Sequence, residues 1–179
     1  MEKASMKKEE LLEAASRIVN KKGVRYLTLN NVAKEAGVSK GGLLYYFPTK
    51  DSLIQGGLQY MLSEYTREME EVASHDQAPG NLLRAYIDVT VNDEQPLTSN
   101  LLAAIAINPE LLKSSQEWYL RWQEKIEENG VDPVMATIIR LAADGVWFNE
   151  LFGFSFLDET FRERVVEKLM ELSEGGPFE

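Results

Sequence analysis

The chain has 179 residues, of which 44% are hydrophobic and 27% charged, with no cysteine, one histidine and a formal net charge of -10. This is the composition of a folded globular protein, and the lack of cysteine excludes disulfides, thiol catalysis and thiolate zinc sites. The single histidine, His75, lies in a polar stretch that we interpret as a solvated linker, so we expect no metal, no cofactor and no enzymatic activity. The charged amino terminus and the absence of about 18 consecutive apolar residues predict a cytoplasmic protein that does not enter a membrane.

The net charge hides an uneven distribution along the chain. Residues 1–56 carry a formal charge of +4, and the remainder carries -14. Only the amino-terminal segment is therefore suited to contact a polyanion such as nucleic acid.

Apolar residues recur at helical spacing almost everywhere, and no segment alternates as a strand does, so we predict an all-α fold of about nine helices. The first four are predicted over Lys7–Lys22 with Gly23 at its end, from the cap Thr28 to Gly37, from the cap Ser39 to Phe47, and from the cap Thr49 to about Ala73.

The second and third of these helices fit a helix-turn-helix arrangement, because both are short, a glycine turn joins them and a longer helix precedes them. Leu43 and Phe47 would anchor the third helix. Two glycines in its first turn reduce helix propensity by about 1 kcal/mol each, which suggests that the backbone must lie close to something, such as the floor of a major groove. The residues expected to face outward are Lys40, Gly41, Gly42, Leu44, Tyr45 and Tyr46.

Residues 32–54, with the sequence VAKEAGVSKGGLLYYFPTKDSLI, resemble the recognition segment of the tetracycline-repressor (TetR) family of transcriptional regulators. The resemblance implies a DNA-binding domain over residues 1–50 and an effector-binding and dimerisation domain over 51–179. It also implies base contacts from Lys40, Gly41 and Gly42, and phosphate contacts from Thr28, Ser39, Tyr45, Tyr46 and Lys50. The sequence departs from the family at Gly42, where Thr, Ser or Asn is common, and at Leu44, where Tyr is common, so we expect sparse direct readout with Lys40 as the main guanine reader.

Amphipathic helices separated by polar breaks fill the chain from about Asp51 to the end, and we predict six of them, the fourth helix included. In the segment Pro133–Phe154, two apolar stripes lie side by side, so this helix needs cover on two sides. In the family, the last two long helices pair with their copies to form a four-helix dimer interface, and this pattern agrees with that arrangement. The alternative is that this helix lies at the centre of a monomeric bundle. The predicted interface residues are Ile138, Leu141, Gly145, Phe148, Phe152, Phe161, Val165 and Leu169.

Aromatic residues and methionine on the middle helices are candidates for an apolar effector pocket, although residues of these types in a helical bundle more often belong to the core. The candidates are Tyr60, Met61, Tyr65, Tyr86, Leu102, Ile105, Trp118, Trp122, Trp147 and Asn149.

The functional hypothesis is a homodimeric transcriptional repressor that binds a palindromic double-stranded DNA operator and is released by a small apolar or aromatic effector. The alternative is a dimeric architectural DNA-binding protein without an effector. A ligand that releases DNA would separate the two.

Overall fold

The computed structural model describes residues 2–92, 108–151, 153–154 and 157–175, and all regular structure in these ranges is helical, as predicted. Eight of the predicted helices fall there, and the one predicted between Pro96 and Asn108 lies outside the described residues. None of the described helices has both the length and the apolar character that crossing a bilayer requires. The helices are α1 (Glu2–Lys22), α2 (Leu29–Glu35), α3 (Lys40–Tyr46), α4 (Lys50–Ser74), α5 (Asn81–Val91), α6 (Lys113–Glu127), α7 (Pro133–Leu151) and α8 (Glu159–Ser173), with two short 3₁₀ turns at Val24–Tyr26 and Pro109–Leu112.

The chain divides into two compact units, which we call the first unit (Met1–Glu64 with Gln95–Trp118) and the second unit (Tyr65–Glu94 with Tyr119–Glu179). The chain first passes from one unit to the other inside α4, after Glu64. The domain boundary predicted after residue 50 lies at the start of α4.

The core of the first unit is built around the apolar stripe of α1, against which α2 packs. Gly56 of α4 also serves this core, because a Cβ at that position would lie 2.6 Å from Cε1 of the Phe47 ring. The glycine therefore lets Phe47 pack directly on the α4 backbone and anchor the end of α3. The fully or nearly fully buried residues are Leu11, Leu12, Ala14, Ala15, Ile18, Val19, Leu27, Val32, Ala33, Leu43, Phe47, Leu53, Ile54, Leu58 and Leu111.

In the second unit, α5, α7 and α8 pack against one another. The loop before α5 is fixed by Arg84, whose guanidinium donates to the Asp76 carboxylate, to the Pro79 carbonyl at 3.0 Å and to the Ser173 carbonyl at 3.2 Å. Arg84 thereby satisfies a carbonyl at the carboxyl end of α8, where the last turn of a helix leaves acceptors unpaired. This contact holds α5 to α8.

Candidate functional site

The amino ends of α2 and α3 are capped by the two hydroxyl residues that the sequence predicted. Thr28 Oγ1 accepts a hydrogen bond from the Asn31 N–H at 3.2 Å, and Ser39 Oγ accepts one from the Gly42 N–H at 3.1 Å. Both side chains are exposed. Each hydroxyl uses only an acceptor lone pair in its cap, so its O–H remains able to donate to a phosphate.

The turn between α2 and α3 is a Schellman motif with Gly37 at a φ of 65°. The Val38 N–H donates to the Ala33 carbonyl at 2.9 Å, and the Gly37 N–H donates to the Lys34 carbonyl at 3.2 Å. A side chain at this φ would be strained, so the glycine sets the angle between the two helices.

One side of α3 is fixed to the core and the other is open. Leu43 and Phe47 are buried, whereas Lys40, Gly41, Gly42 and Tyr45 are exposed, Tyr45 to 81%.

The open face is narrower than predicted, because Leu44 and Tyr46 are half-buried and Tyr46 packs against the core. Tyr46 follows Leu43 by three residues, so it lies beside the buried stripe rather than opposite it. Its ring stands edge-on to that of Tyr45 at 5.0 Å.

The two glycines of α3 are not required by the fold. A Cβ at Gly41 would lie 4.0 Å from Ser39 Oγ, and one at Gly42 would lie 3.4 Å from the same atom, both ordinary contacts. Neither glycine has a positive φ. Among the described residues of the first unit, therefore, nothing explains two glycines in this turn, in contrast to Gly56.

A reciprocal capping pair fixes the start of α4, where Lys50 is the first residue. The Thr49 N–H donates to Ser52 Oγ and the Ser52 N–H donates to Thr49 Oγ1, each at 3.0 Å. The sequence predicted the Thr49 cap but not its partner, which the spacing of three residues could have indicated. Lys50 is half-buried at the amino end of this helix.

Cations without carboxylate partners are concentrated near the helix-turn-helix. In the described part of the chain, six cations of this region have no carboxylate oxygen within 4.0 Å of their side-chain nitrogens. They are Lys21, Lys22, Arg25, Lys34, Lys40 and Lys50. In the second unit, in contrast, six of the eight cations are paired with a carboxylate, and Arg121 and Arg164 are not paired with one among the described residues. The paired cations are Arg67, Arg84, Lys125, Arg140, Arg162 and Lys168. Sequence reasoning missed Lys22, Arg25 and Lys34 as candidate anion ligands, although the +4 charge of residues 1–56 pointed to their region.

Three of the predicted effector residues, Tyr65, Tyr86 and Trp122, come together in the second unit, where all three are buried. The Tyr86 and Trp122 rings are 6.5 Å apart, and the Tyr65 hydroxyl donates to Thr90 Oγ1 at 2.9 Å.

The other predicted effector residues are dispersed. Trp147 is buried in the second unit, and the Asn149 amide donates to the Gly145 carbonyl of its own helix at 2.7 Å. Met61 and Tyr60 are half-buried in the first unit, to which the buried Trp118 also belongs. Leu102 and Ile105 lie outside the described residues.

A polar network that the sequence analysis did not identify adjoins Tyr86. The Tyr86 hydroxyl donates to Asp144 Oδ1 at 2.6 Å, and Arg140 donates to Asp144 Oδ2 at 2.9 Å and to Gln123 Oε1 at 2.6 Å. Burial raises the pKa of Asp144, against the opposing effects of Tyr86 and Arg140, and burial raises the pKa of Tyr86 well above its ordinary value. An arginine and an aspartate four residues apart in the middle of a largely apolar helix were the signal for this network.

The two apolar stripes of α7 have different surroundings. On one side, Ile139 and Val146 are buried in the second unit. On the other side, Ile138 is 53% exposed and Leu141 is 55% exposed, so this stripe is open in the single chain.

The other predicted interface residues differ in how much of their surface is exposed. Phe148 and Phe161 are also exposed, and Gly145 and Val165 are half-buried. Leu169 is only 7% exposed, since it faces the core of its own unit, and it has little surface left to offer a partner. Phe152 lies outside the described residues.

Comparison with known proteins gives two family matches. The model described as bacterial regulatory proteins, tetR family, matches residues 11–56, and the one described as tetracyclin repressor-like, C-terminal domain, matches residues 80–174, more than half of the chain. Among curated relatives, the HTH-type transcriptional regulator PksA of Bacillus subtilis (strain 168) is 24% identical over 113 residues, covering 63% of this chain and 48% of its own. The HTH-type transcriptional regulator BetI of Brucella suis biovar 1 is 31% identical over 90 residues, covering 50% of this chain and 46% of its own. The chain thus spans about half the length of the curated relatives it matches.

Solved structures show the same fold. A transcriptional regulator from Rhodococcus sp. Rha1 has a TM-score of 0.76 at 17% identity and covers 95% of this chain and 99% of its own. The multidrug binding protein EbrR, complexed with imidazole, has a TM-score of 0.64 at 25% identity and covers 92% of this chain and 93% of its own. EbrR complexed with malachite green has a TM-score of 0.62 at 25% identity, with 92% and 96% covered. The chain belongs to the TetR family of bacterial transcriptional regulators.

Proposed function

We propose that this protein is a homodimeric repressor that binds a palindromic operator and is released from it by a small aromatic effector. The observation that carries the DNA-binding part is the open face of α3. This face combines Lys40 with two glycines that the fold does not need, and it lies in a segment whose cations lack carboxylate partners.

In the proposed complex, α3 enters the major groove. Lys40 donates to O6 and N7 of a guanine, and the bare backbone at Gly41 and Gly42 approaches the base edges closely. The phosphates are held by Thr28, Ser39, Tyr45, Tyr46 and Lys50. Tyr46, being half-buried, presents only part of its ring and its hydroxyl.

The proposal of a homodimer is supported by the open apolar stripe of α7. Large apolar side chains that remain about half exposed along one helix face form a contiguous patch of the kind that marks an interface. A second copy of the same face would cover it symmetrically. Two recognition helices would then read the two halves of a palindrome about one helical turn apart.

The proposal of an aromatic effector is supported by the cluster of Tyr65, Tyr86 and Trp122 in the second unit. EbrR is described as a multidrug binding protein and has been crystallised with imidazole, ethidium and malachite green. An effector that binds one separation of the two α3 helices better than another would shift the dimer away from the DNA-binding state. α4 is continuous between its residues in the first unit and those in the second, so it is the element proposed to carry the change.

The test begins with selection of bound duplexes from a random library, followed by fluorescence anisotropy on the selected sequence. Lys40→Ala is expected to cost about 1–3 kcal/mol on the selected duplex and to relax its sequence preference. Lys50→Ala is expected to weaken binding equally on all sequences and to reduce the salt dependence. If the selected sequences contain no palindrome, the proposal of a repressor with two symmetric DNA-binding domains is contradicted.

The effector part is tested separately by adding ethidium or malachite green to the protein–duplex complex. Release of DNA together with a higher melting temperature of the free protein is the expected result. If no aromatic compound of such a panel releases the duplex, the protein acts as a DNA-binding protein without this kind of effector.

A further inference from the structure

The first unit carries a second basic surface, formed by residues other than those of the open face of α3, in a groove between α1 and α2. We call it the α1–α2 groove; it is open to solvent and has a volume of about 730 Å³. Its lining residues are Ile18, Lys22, Arg25, Tyr26, Asn31, Lys34 and Glu35.

The charge of this groove is strongly positive. Lys22, Arg25 and Lys34 have no carboxylate partner in the described part of the chain. The carboxylate among the lining residues, Glu35, lies 3.4 Å from Nε of Arg17, so its charge is already compensated. On a chain with a net charge of -10, three unpaired cations in one groove are a feature that the fold does not require.

The walls of the groove are partly preorganised. The Asn31 amide donates to the Tyr26 carbonyl at 2.8 Å, which fixes the turn between α1 and α2. The Arg25 guanidinium lies 5.1 Å from the centre of the exposed Tyr26 ring, and this cation–π contact holds the charge without neutralising it.

The position and shape of the groove favour a linear polyanion over a small enclosed ligand. Arg25 and Tyr26 come directly before Leu27 and Thr28, and Thr28 is one of the proposed phosphate contacts. Two residues that line the groove thus lie a few positions before Thr28 in the sequence. A phosphate backbone that contacts Thr28 is therefore expected to pass near them. The groove is open to solvent rather than enclosed, so a polymer can lie across it, and its cations are on flexible or stacked side chains that suit phosphate contacts without base readout.

We propose that the α1–α2 groove binds the DNA phosphate backbone outside the part of the operator read by α3, with Lys22, Arg25 and Lys34 as its phosphate ligands. This inference rests on the proposed DNA-binding function. It assigns a sequence-independent contact to residues that are not among the DNA contacts proposed above. It also extends the stretch of DNA that each DNA-binding domain covers.

The test compares salt dependence in a triple variant, Lys22→Gln, Arg25→Gln and Lys34→Gln, with that of the wild-type protein. Each neutralised phosphate contributes about 0.9 to the steepness of log K plotted against log salt concentration. Loss of three phosphate contacts should therefore reduce this steepness by about 2.7 for each bound DNA-binding domain. The loss should be equal on the selected duplex and on a scrambled one, because the groove reads no bases. The ratio of the two affinities should stay unchanged.

A matched control removes three exposed cations elsewhere: Arg67→Gln, Lys113→Gln and Arg121→Gln. This variant has the same net charge of about -13 as the groove variant, so a loss of slope caused only by overall charge would appear in both. A charge-retaining variant, Lys22→Arg, Arg25→Lys and Lys34→Arg, should keep the wild-type slope. Circular dichroism melts check that all variants are folded.

The outcomes separate this inference from the function on which it rests. If the wild-type protein binds DNA and the groove variant keeps its slope, or loses no more than the control, the groove does not contact phosphate and the inference is overturned alone. Loss of sequence preference in the groove variant would also overturn it, since the groove would then be reading bases. Wild-type protein that binds no duplex would overturn the proposed function and this inference together.

Discussion

The two glycines in the first turn of α3 allow a prediction in which stability and DNA affinity move in opposite directions. Gly42→Ala places a methyl group 3.4 Å from Ser39 Oγ, at an unstrained backbone conformation. Because alanine loses less backbone entropy in a helix, the free energy of unfolding should rise by about 0.5–1 kcal/mol. For a chain of this size the melting temperature should rise by about 1–4 °C.

The same methyl group should weaken operator binding. It stands on the exposed face of α3, where the proposed complex brings the backbone close to the base edges. Loss of one good base contact costs about 1–3 kcal/mol, or roughly 5- to 150-fold in affinity. Affinity for scrambled DNA should change little, because the phosphate ligands are untouched.

Gly56→Ala is the matched control, since it makes the same chemical change in α4. There the new Cβ would meet the Phe47 ring at 2.6 Å, so overpacking of about 1–3 kcal/mol should outweigh the gain in helix propensity. Urea denaturation gives the stabilities, and fluorescence anisotropy with the selected and scrambled duplexes gives the affinities. If Gly42→Ala were more stable and still bound the selected duplex as tightly as wild type, the glycines would have no contact role. If Gly42→Ala were less stable than wild type, the conclusion that a Cβ fits at this position without strain would be wrong.

Three further predictions concern the second unit and α6. Leu141→Glu should convert the dimer to a folded monomer in light scattering and weaken operator binding, whereas Leu120→Glu, at an equally exposed leucine, should leave the dimer intact; dimers in both variants would refute the interface. Tyr86→Phe removes the hydrogen bond to a buried carboxylate and should lower the free energy of unfolding by about 1.5–3 kcal/mol in urea, so a loss below about 0.5 kcal/mol would show that the network adds no net stability. A hydrogen bond from the backbone N–H two residues on, and then the Arg84 guanidinium, lower the pKa of Asp76 from its ordinary value of 3.8. Its contribution is therefore present above that value and is lost as pH falls through the lower folded-state pKa, so Asp76→Asn should be less stable than wild type at neutral pH, and the difference should vanish in acid; a difference that persists in acid would refute this assignment.

Local signals in the sequence were sufficient for most of the first unit. The caps Thr28, Ser39 and Thr49 and the turn at Gly37 are each decided by residues within three or four positions, and all four occur as predicted. Helix periodicity likewise indicated that α7 has two apolar sides, one of which its own unit covers. These features depend on the chemistry of single turns, which the order of residues determines directly.

Tertiary packing decided the features that join distant residues. The hydrogen bond from Tyr86 to Asp144 spans 58 positions, and no periodicity connects them. The extra burial of Tyr46, and the burial of Leu169, depend on where neighbouring helices cross. The sequence by itself determined a helical fold, a helix-turn-helix and an uneven charge. Only the tertiary structure decided which cations remain unpaired and which glycines have no packing role, because both depend on neighbours that the chain brings together from other helices.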